Sequence, residues 1–321
     1  MSKRSPSADA ASSPSSDRDG AAPLDHFATH GWVCFRAFLS RPELRFLQRE
    51  SHSLYANTHA DPEQAAAAVV RQGCVLDVLA QCPVHADPAR VNMSRYLAAR
   101  AKQITSATGC KTETSPAADA PGDDVLARLL FDRLPTVAAQ LLATSAPSSG
   151  AAETCFFNEH YVVKPPQSHV EFRWHRDDDE QLGMCLHRDA LPPYVSAWCA
   201  LDDVTSVNGA LQFASLAASD SENESVESLQ RRASPPLNTQ AGDVLFFLSN
   251  VWHCSSSNES DAPRRAFYAQ YSSGRITAGP NGPAPLSFAI PCVSTSASAS
   301  LEACEDDSAV PKKRKLDASG S

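Results

Sequence analysis

From Thr154 onward the chain changes texture, and this change limits its possible folds more than any other feature. CFFNEHYVV, VEFRW, YVSAWCALDDV, GALQF, GDVLFFL and RAFYAQYS are short runs of aromatic and β-branched residues separated by Gly, Pro, Asn and Asp, the composition of strands punctuated by turns. Before Thr154 the periodicity is mostly helical. Helices first and short antiparallel strands later predict an α+β chain whose strands form a double-stranded β-helix, or jelly roll, with flanking N-terminal helices.

Order is expected to begin near Leu24. LDHFATHGWVCFRAFLS reads as a short helix, a Gly31 turn and a strand from Trp32 to Phe38. Ser40-Arg41-Pro42-Glu43 has the form of a capping box, a Ser hydroxyl for the first free N–H groups with Glu reaching back three places on. A helix with Leu44, Leu47 and Leu54 on one face should follow. Thr58 to Ala101 reads as mostly helical, and 105–124, small and polar, as a loop insertion. Val125–Leu134 and Thr136–Leu142 read as two helices separated by Pro135, which can begin the second but would break a continuous one. Ala143 to Glu153 reads as linker. A second insertion, 217–240, is rich in Ser, Glu and Arg and reads as a mobile loop.

The two ends differ in kind from the middle. Residues 1–22 hold no aromatic residue and no leucine, so they lack the apolar surface that would order them. Residues 293–321 are largely Ser, Ala and acid, with a basic run, Pro311 to Lys315, near their end. That run has the form of a nuclear localisation signal for an import receptor. The domain between them spans 23–292. A net charge of −9 argues against broad contact with nucleic-acid phosphates. No apolar run is long enough to span a membrane, and no secretory h-region or peroxisomal address is visible. The ten cysteines show no paired spacing, which fits reduced thiols rather than a disulfide framework or a zinc site.

The chemistry is expected at FRWHRD. Residues i and i+2 of a strand share a face, so His175 and Asp177 present an imidazole and a carboxylate to one spot while Arg176 points away. Such a pair is two thirds of the 2-His-1-carboxylate triad that holds Fe(II) on one face and leaves the opposite positions open. His-x-Asp occurs four times, at His59/Asp61, His85/Asp87, His175/Asp177 and His187/Asp189, so context must choose. His59 and His85 lie in turns beside Asp-Pro pairs, where a carboxylate bonds backbone. His187-Arg188-Asp189 resembles a kinase catalytic loop but lacks its downstream Asn and any glycine-rich phosphate loop. Asp178 and Asp179 could compete with Asp177 through a slip in register. His253, delivered after the strand Gly242–Leu248, is the candidate distant ligand. Arg264 or Arg265, further along, offers a guanidinium to a carboxylate bound at the metal; strand alternation lets only one of them face it.

Five blocks in order carry a family resemblance: FATHGWVCFRAFLS with its following helix, YVVKPP, FRWHRD, VSAWCALDD with NGAL, and GDVLFFLSNVWHCSSSN with PRRAFYAQYS. Over residues 24–275 the chain resembles the phytanoyl-CoA dioxygenase family of Fe(II)- and 2-oxoglutarate-dependent oxygenases, whose core is a cupin-like jelly roll. The resemblance implies His175, Asp177 and His253 as iron ligands and Arg264 as partner of the distal carboxylate of 2-oxoglutarate. It places Trp198, Ser255 and His160 at co-substrate contacts, His160 with a different residue type from the family's. It further implies that 2-oxoglutarate and O2 are consumed, succinate and CO2 released, and a C–H bond of a small-molecule substrate hydroxylated. One departure stands out, since GALQFASLAASDSENE replaces the family's Pro-Gly-Ser-His-like turn. Two alternatives remain open at this point, a catalytically silent jelly-roll scaffold in the nucleus and an oxygenase acting on a nuclear protein or nucleic acid.

Overall fold

A computed structural model describes residues 23–60, 75–78, 92–108, 122–145, 153–182, 194–216, 224–274 and 290–292. The tails expected at 1–22 and 293–321, most of the 105–124 insertion, and the pair His187/Asp189 lie outside these residues. The described part is a mixed α and β chain whose ten strands form two antiparallel sheets. The larger has the order β1-β7-β5-β9-β3-β10, with β2 also on β3; the smaller is β4-β8-β6. In chain order these are β1 Trp32–Phe35, β2 Val75–Asp77, β3 Cys155–Lys164, β4 Phe172–His175, β5 Tyr194–Ala200, β6 Leu211–Phe213, β7 Val244–Leu248, β8 His253–Ser255, β9 Arg264–Ser272 and β10 Ile290–Pro291.

The register of the large sheet sorts its residues into two faces. Ser196 and Trp198 of β5 lie opposite Gln270 and Tyr268 of β9, and His160 and Lys164 of β3 lie opposite Tyr268 and Arg264. With a side-chain period of two, these even-numbered residues share one face and the odd-numbered ones the other. The odd face meets the helices: Tyr271 donates to Leu130 O at 2.9 Å and Tyr161 to Glu50 at 2.6 Å. Polar residues on the even face therefore belong to a site, not to helix packing.

The helix Arg41–Ala60 buries Leu47 and Leu54; each fully buried leucine stabilises by about 1.5–3 kcal/mol. Its start is half a capping box. Glu43 accepts from Ser40 N at 2.7 Å, but the Ser40 hydroxyl donates to Glu43 at 2.6 Å instead of accepting from the first turn. Arg133 also donates to Glu43 and, at 2.7 Å, to Phe38 O, so the carboxylate serves two neighbours at once.

Several expectations are corrected. The strand from Trp32 ends at Phe35 because the chain turns at Ala37, which has φ 48° and whose N–H donates to Asp243 at 2.8 Å. The stretch 75–77, inside a segment expected to be helical, is strand β2 paired with β3; of its three residues only Val75 favours a strand by itself, so pairing with β3 decides. The helix Met93–Thr108 runs into the expected insertion, and Leu134–Ser145 runs past the expected linker boundary. Pro135 does not separate two helices either. Gly122–Arg128 passes into a π-helical turn, Leu129–Arg133, and on into Leu134–Ser145. In π register the partner of Leu130 O would be the N–H of residue 135, which proline lacks. The Tyr271 hydroxyl fills that position. Finally, the described part of the 217–240 insertion holds a helix, Val226–Arg231, capped by Ser225, which accepts from Ser228 N at 3.2 Å. Backbone bridges Ala214–Ala233 and Val204–Thr239 tie it to the sheets.

Candidate metal centre

His175 ends β4 and His253 begins β8, and the two are direct partners in the small sheet. Asp177 follows β4 at the start of a short helix, Asp177–Leu182, so that it leans back toward the even face of the large sheet. One ligand atom from each of His175, Asp177 and His253 can be chosen so that all lie within 4.8 Å of one another. Among the described residues this is the one cluster of three or more such groups.

Hydrogen bonds decide which atoms are offered. His175 Nδ1 lies 2.6 Å from Arg173 O and His253 Nδ1 lies 3.0 Å from Val251 O. A carbonyl only accepts, so each Nδ1 carries the hydrogen and each Nε2 presents a lone pair. His253 Nε2 is 3.6 Å from Asp177 Oδ1. The other carboxylate oxygen, Oδ2, accepts from Ser196 Oγ at 2.5 Å, from Gln270 Nε2 at 3.2 Å and from the Tyr268 hydroxyl. Oδ1 is thereby turned toward the histidines. Burial pushes the His253 imidazole down to about 4, with His175 adding to the effect and Asp177 opposing it; at neutral pH it is the unprotonated form that a metal requires. Two imidazoles, one carboxylate and carbonyls behind both rings fit a first-row divalent metal such as Fe(II).

The competing aspartates have other partners. The Asp179 carboxylate accepts from Arg176 at 2.8 Å, the Asp178 backbone N–H donates to Ser249 O at 3.0 Å, and neither carboxylate belongs to the cluster. Arg264 and Arg265 part company in the way that strand alternation requires. Arg265 lies on the helix side, paired with Asp202 at 2.6 Å. Arg264 is 1% exposed on the even face, with its guanidinium 5.5 Å from the Trp198 ring centroid and Nη2 donating to Gly209 O at 2.9 Å. Ser255 is buried and accepts from Lys164 Nζ at 2.9 Å. His160 stacks on Tyr268 with ring centroids 4.6 Å apart, and burial pushes it down to about 4. All seven residues singled out from the sequence thus lie on the even face of the large sheet or on β4, β8 and the turn after β4.

Sequence reasoning missed the three groups that orient Asp177. Ser196, Tyr268 and Gln270 are polar side chains in strands buried on both sides, and polar groups in such places are there to be paired. We expect Tyr268→Phe to lower Fe(II) affinity by about 10-fold to 100-fold, the usual range for removing a partner behind a metal ligand. Anaerobic metal titration checks it, and unchanged affinity would mean that Ser196 and Gln270 suffice to orient the carboxylate.

No described helix is long and apolar enough to cross a membrane. A search of curated proteins finds no match. Among solved structures the chain is similar to SnoK, described as a non-heme α-ketoglutarate dependent carbocyclase from nogalamycin biosynthesis, with TM-score 0.51 and 15% identity over 87% of this chain and 100% of that one. It is also similar to AviO1 from Streptomyces viridochromogenes Tue57 (TM-score 0.48, 20% identity, 84% and 100% covered). EctD from S. alaskensis, crystallised with 2-oxoglutarate and 5-hydroxyectoine, gives TM-score 0.46 and 21% identity, with 83% and 79% covered. The family description phytanoyl-CoA dioxygenase (PhyH) matches residues 17–266. That stretch runs from ahead of the first helix into β9 and takes in the three clustered side chains together with Arg264, so the chain belongs to the phytanoyl-CoA dioxygenase family and is an enzyme of the Fe(II)- and 2-oxoglutarate-dependent oxygenase class.

Proposed function

We propose that this chain hydroxylates a C–H bond of a small-molecule substrate, that its two sheets are the halves of a double-stranded β-helix, and that His175, Asp177 and His253 hold the iron. The observation that carries the proposal is the paired orientation of the site: both histidines are fixed at Nδ1 by carbonyls, and Asp177 is fixed at Oδ2 by three donors. Once bound, Fe(II) with 2-oxoglutarate supplies oxidation by O2, coupled to release of succinate and CO2. The protein supplies position. His175 and His253 keep their tautomers and Asp177 keeps Oδ1 toward the metal. Arg264 takes the distal carboxylate of 2-oxoglutarate, with Trp198 beneath its guanidinium and Ser255 held by Lys164, the partner of Arg264 across β3 and β9. His160, stacked on Tyr268 and uncharged at neutral pH, lines the approach.

The experiment is to load purified protein with Fe(II) under anaerobic conditions, add 2-oxoglutarate, and follow the charge-transfer absorbance. Saturable absorbance that is lost in His175→Ala supports the oxygenase. If the wild-type chain binds neither metal nor co-substrate, the silent scaffold is the better account. Comparing metabolites of cells carrying wild-type or His175→Ala protein then identifies the substrate, and with a net charge of −9 a small molecule is favoured over nucleic acid.

A separate proposal concerns the run Pro311 to Lys315, outside the described residues, as a signal for a nuclear import receptor. Replacing Lys312, Lys313, Arg314 and Lys315 by alanine is expected to move a tagged protein out of the nucleus. Unchanged nuclear retention would remove the proposal.

A further inference from the structure

Lys164 and Arg264 are both buried, and they are direct partners in the β3–β9 register. Two like charges facing each other across strands repel, so the arrangement calls for a reason. The contacts of Lys164 suggest one. Its ammonium donates to Ser255 Oγ at 2.9 Å, to Ser255 O at 3.2 Å and to Ser256 O. An ammonium can only donate. Ser255 Oγ is therefore the acceptor in that bond, and the single hydrogen of its hydroxyl is directed away from Lys164. Ser255 lies two residues after His253 on β8 and shares its face. Gly209 closes the same cluster: its carbonyl accepts from Arg264 Nη2 at 2.9 Å, and a Cβ there would come within 2.6 Å of Ser256 O and 3.1 Å of Lys164 Cδ. Asn258, fully buried, holds the end of β3 in place by donating to Lys164 O and Pro165 O, each at 3.0 Å.

We propose that Lys164 is a positioning residue for the co-substrate: it fixes the Ser255 hydroxyl as a donor and, with Arg264, selects a 2-oxo acid that carries a second carboxylate. This rests on the oxygenase reading above. Lys164 acts through Ser255 and through the field at the pocket, and it leaves the metal ligands alone.

The test measures dissociation constants from the charge-transfer absorbance of anaerobic Fe(II) protein for two probes, 2-oxoglutarate and 2-oxovalerate, which lacks the distal carboxylate. For Lys164→Met the expected result is a loss of about 10-fold or more for 2-oxoglutarate and little change for 2-oxovalerate. Ser255→Ala should show the same selectivity, and the double variant should be little worse than the poorer single one, because both remove one hydrogen-bonded unit. A merely structural lysine would weaken both probes alike when removed. Equal losses for the two probes, no loss in Lys164→Met, or losses that multiply in the double variant would each overturn the proposal. If Lys164→Met does not fold, Lys164→Gln, which keeps a donor for the carbonyls, carries the same outcomes with a smaller loss. Failure of the oxygenase reading looks different, since the wild-type Fe(II) protein would then give no absorbance with 2-oxoglutarate at all.

Discussion

Arg264→Ala is expected to weaken 2-oxoglutarate binding by about 10-fold to 1000-fold while leaving Fe(II) affinity nearly unchanged. The guanidinium is buried on the face that carries Ser196, Tyr268 and Gln270, the three residues that hold Asp177. A co-substrate carboxylate placed there is partly dehydrated, so deleting its partner costs more than a surface ion pair would. Losing a hydrogen bond to a charged group costs about 1.5–3 kcal/mol, and breaking a buried ion pair about 3–5. At about 1.4 kcal/mol per factor of ten, these figures span the stated range once partial access of water is allowed for. Arg264→Lys should recover part of the loss, because a point charge cannot reproduce the planar fork. Arg265→Ala is the control. It faces the helices and pairs with Asp202, so it should cost stability and leave 2-oxoglutarate affinity alone. Wild-type affinity in Arg264→Ala would end the clamp assignment.

The clamp also shows what the sequence made legible and what it hid. Strand alternation alone said that Arg264 and Arg265 face opposite ways, but not which way was inward; that depended on the register of β9 against β5 and β3, a contact across 60 residues or more of chain. His175 and Asp177 were visible because their spacing and neighbours sit within a few residues. His253 was visible because a glycine turn and a buried strand announce it. The residues behind them were not. Ser196, Tyr268 and Gln270 reach Asp177 from two other strands, and nothing local marks a serine or glutamine in a strand as a metal-site partner. The same limit explains the fold errors. Strand β2 forms because β3 offers an edge for it, and Pro135 sits in an unbroken helical run because a tyrosine from β9 takes the place of the missing N–H. In each case a distant element overrode a correct local preference. The Ser40–Glu43 pair is an intermediate case: the backbone half of the box forms, but Arg133 draws the glutamate into a second role.

The largest expected effect on stability comes from a residue that sequence reasoning passed over. Arg100, on the helix Met93–Thr108, is 2% exposed and donates from Nε to Glu159 at 2.7 Å and from Nη2 and Nη1 to the two oxygens of Glu50 at 2.5 and 2.9 Å. Tyr96 adds a bond to Glu159 at 2.5 Å and Tyr161 one to Glu50 at 2.6 Å. One guanidinium therefore joins two helices to β3 and offsets two carboxylates. Burial opposes the charge on Arg100, but the flanking Glu159 and Glu50 carboxylates outweigh it and raise its pKa well above the ordinary value, so the guanidinium stays charged. Arg100→Met would leave both carboxylates buried without their cation, a change that costs about 3–5 kcal/mol, or a fall in melting temperature on the order of 10 °C. Adding Glu159→Gln to Arg100→Met should recover part of the loss near neutral pH, because it removes one of the two stranded charges. Denaturant melts of the three proteins measure this. A loss under about 1 kcal/mol in Arg100→Met, or no recovery in the double variant, would show that the network orders the helices without carrying the electrostatic weight assigned to it.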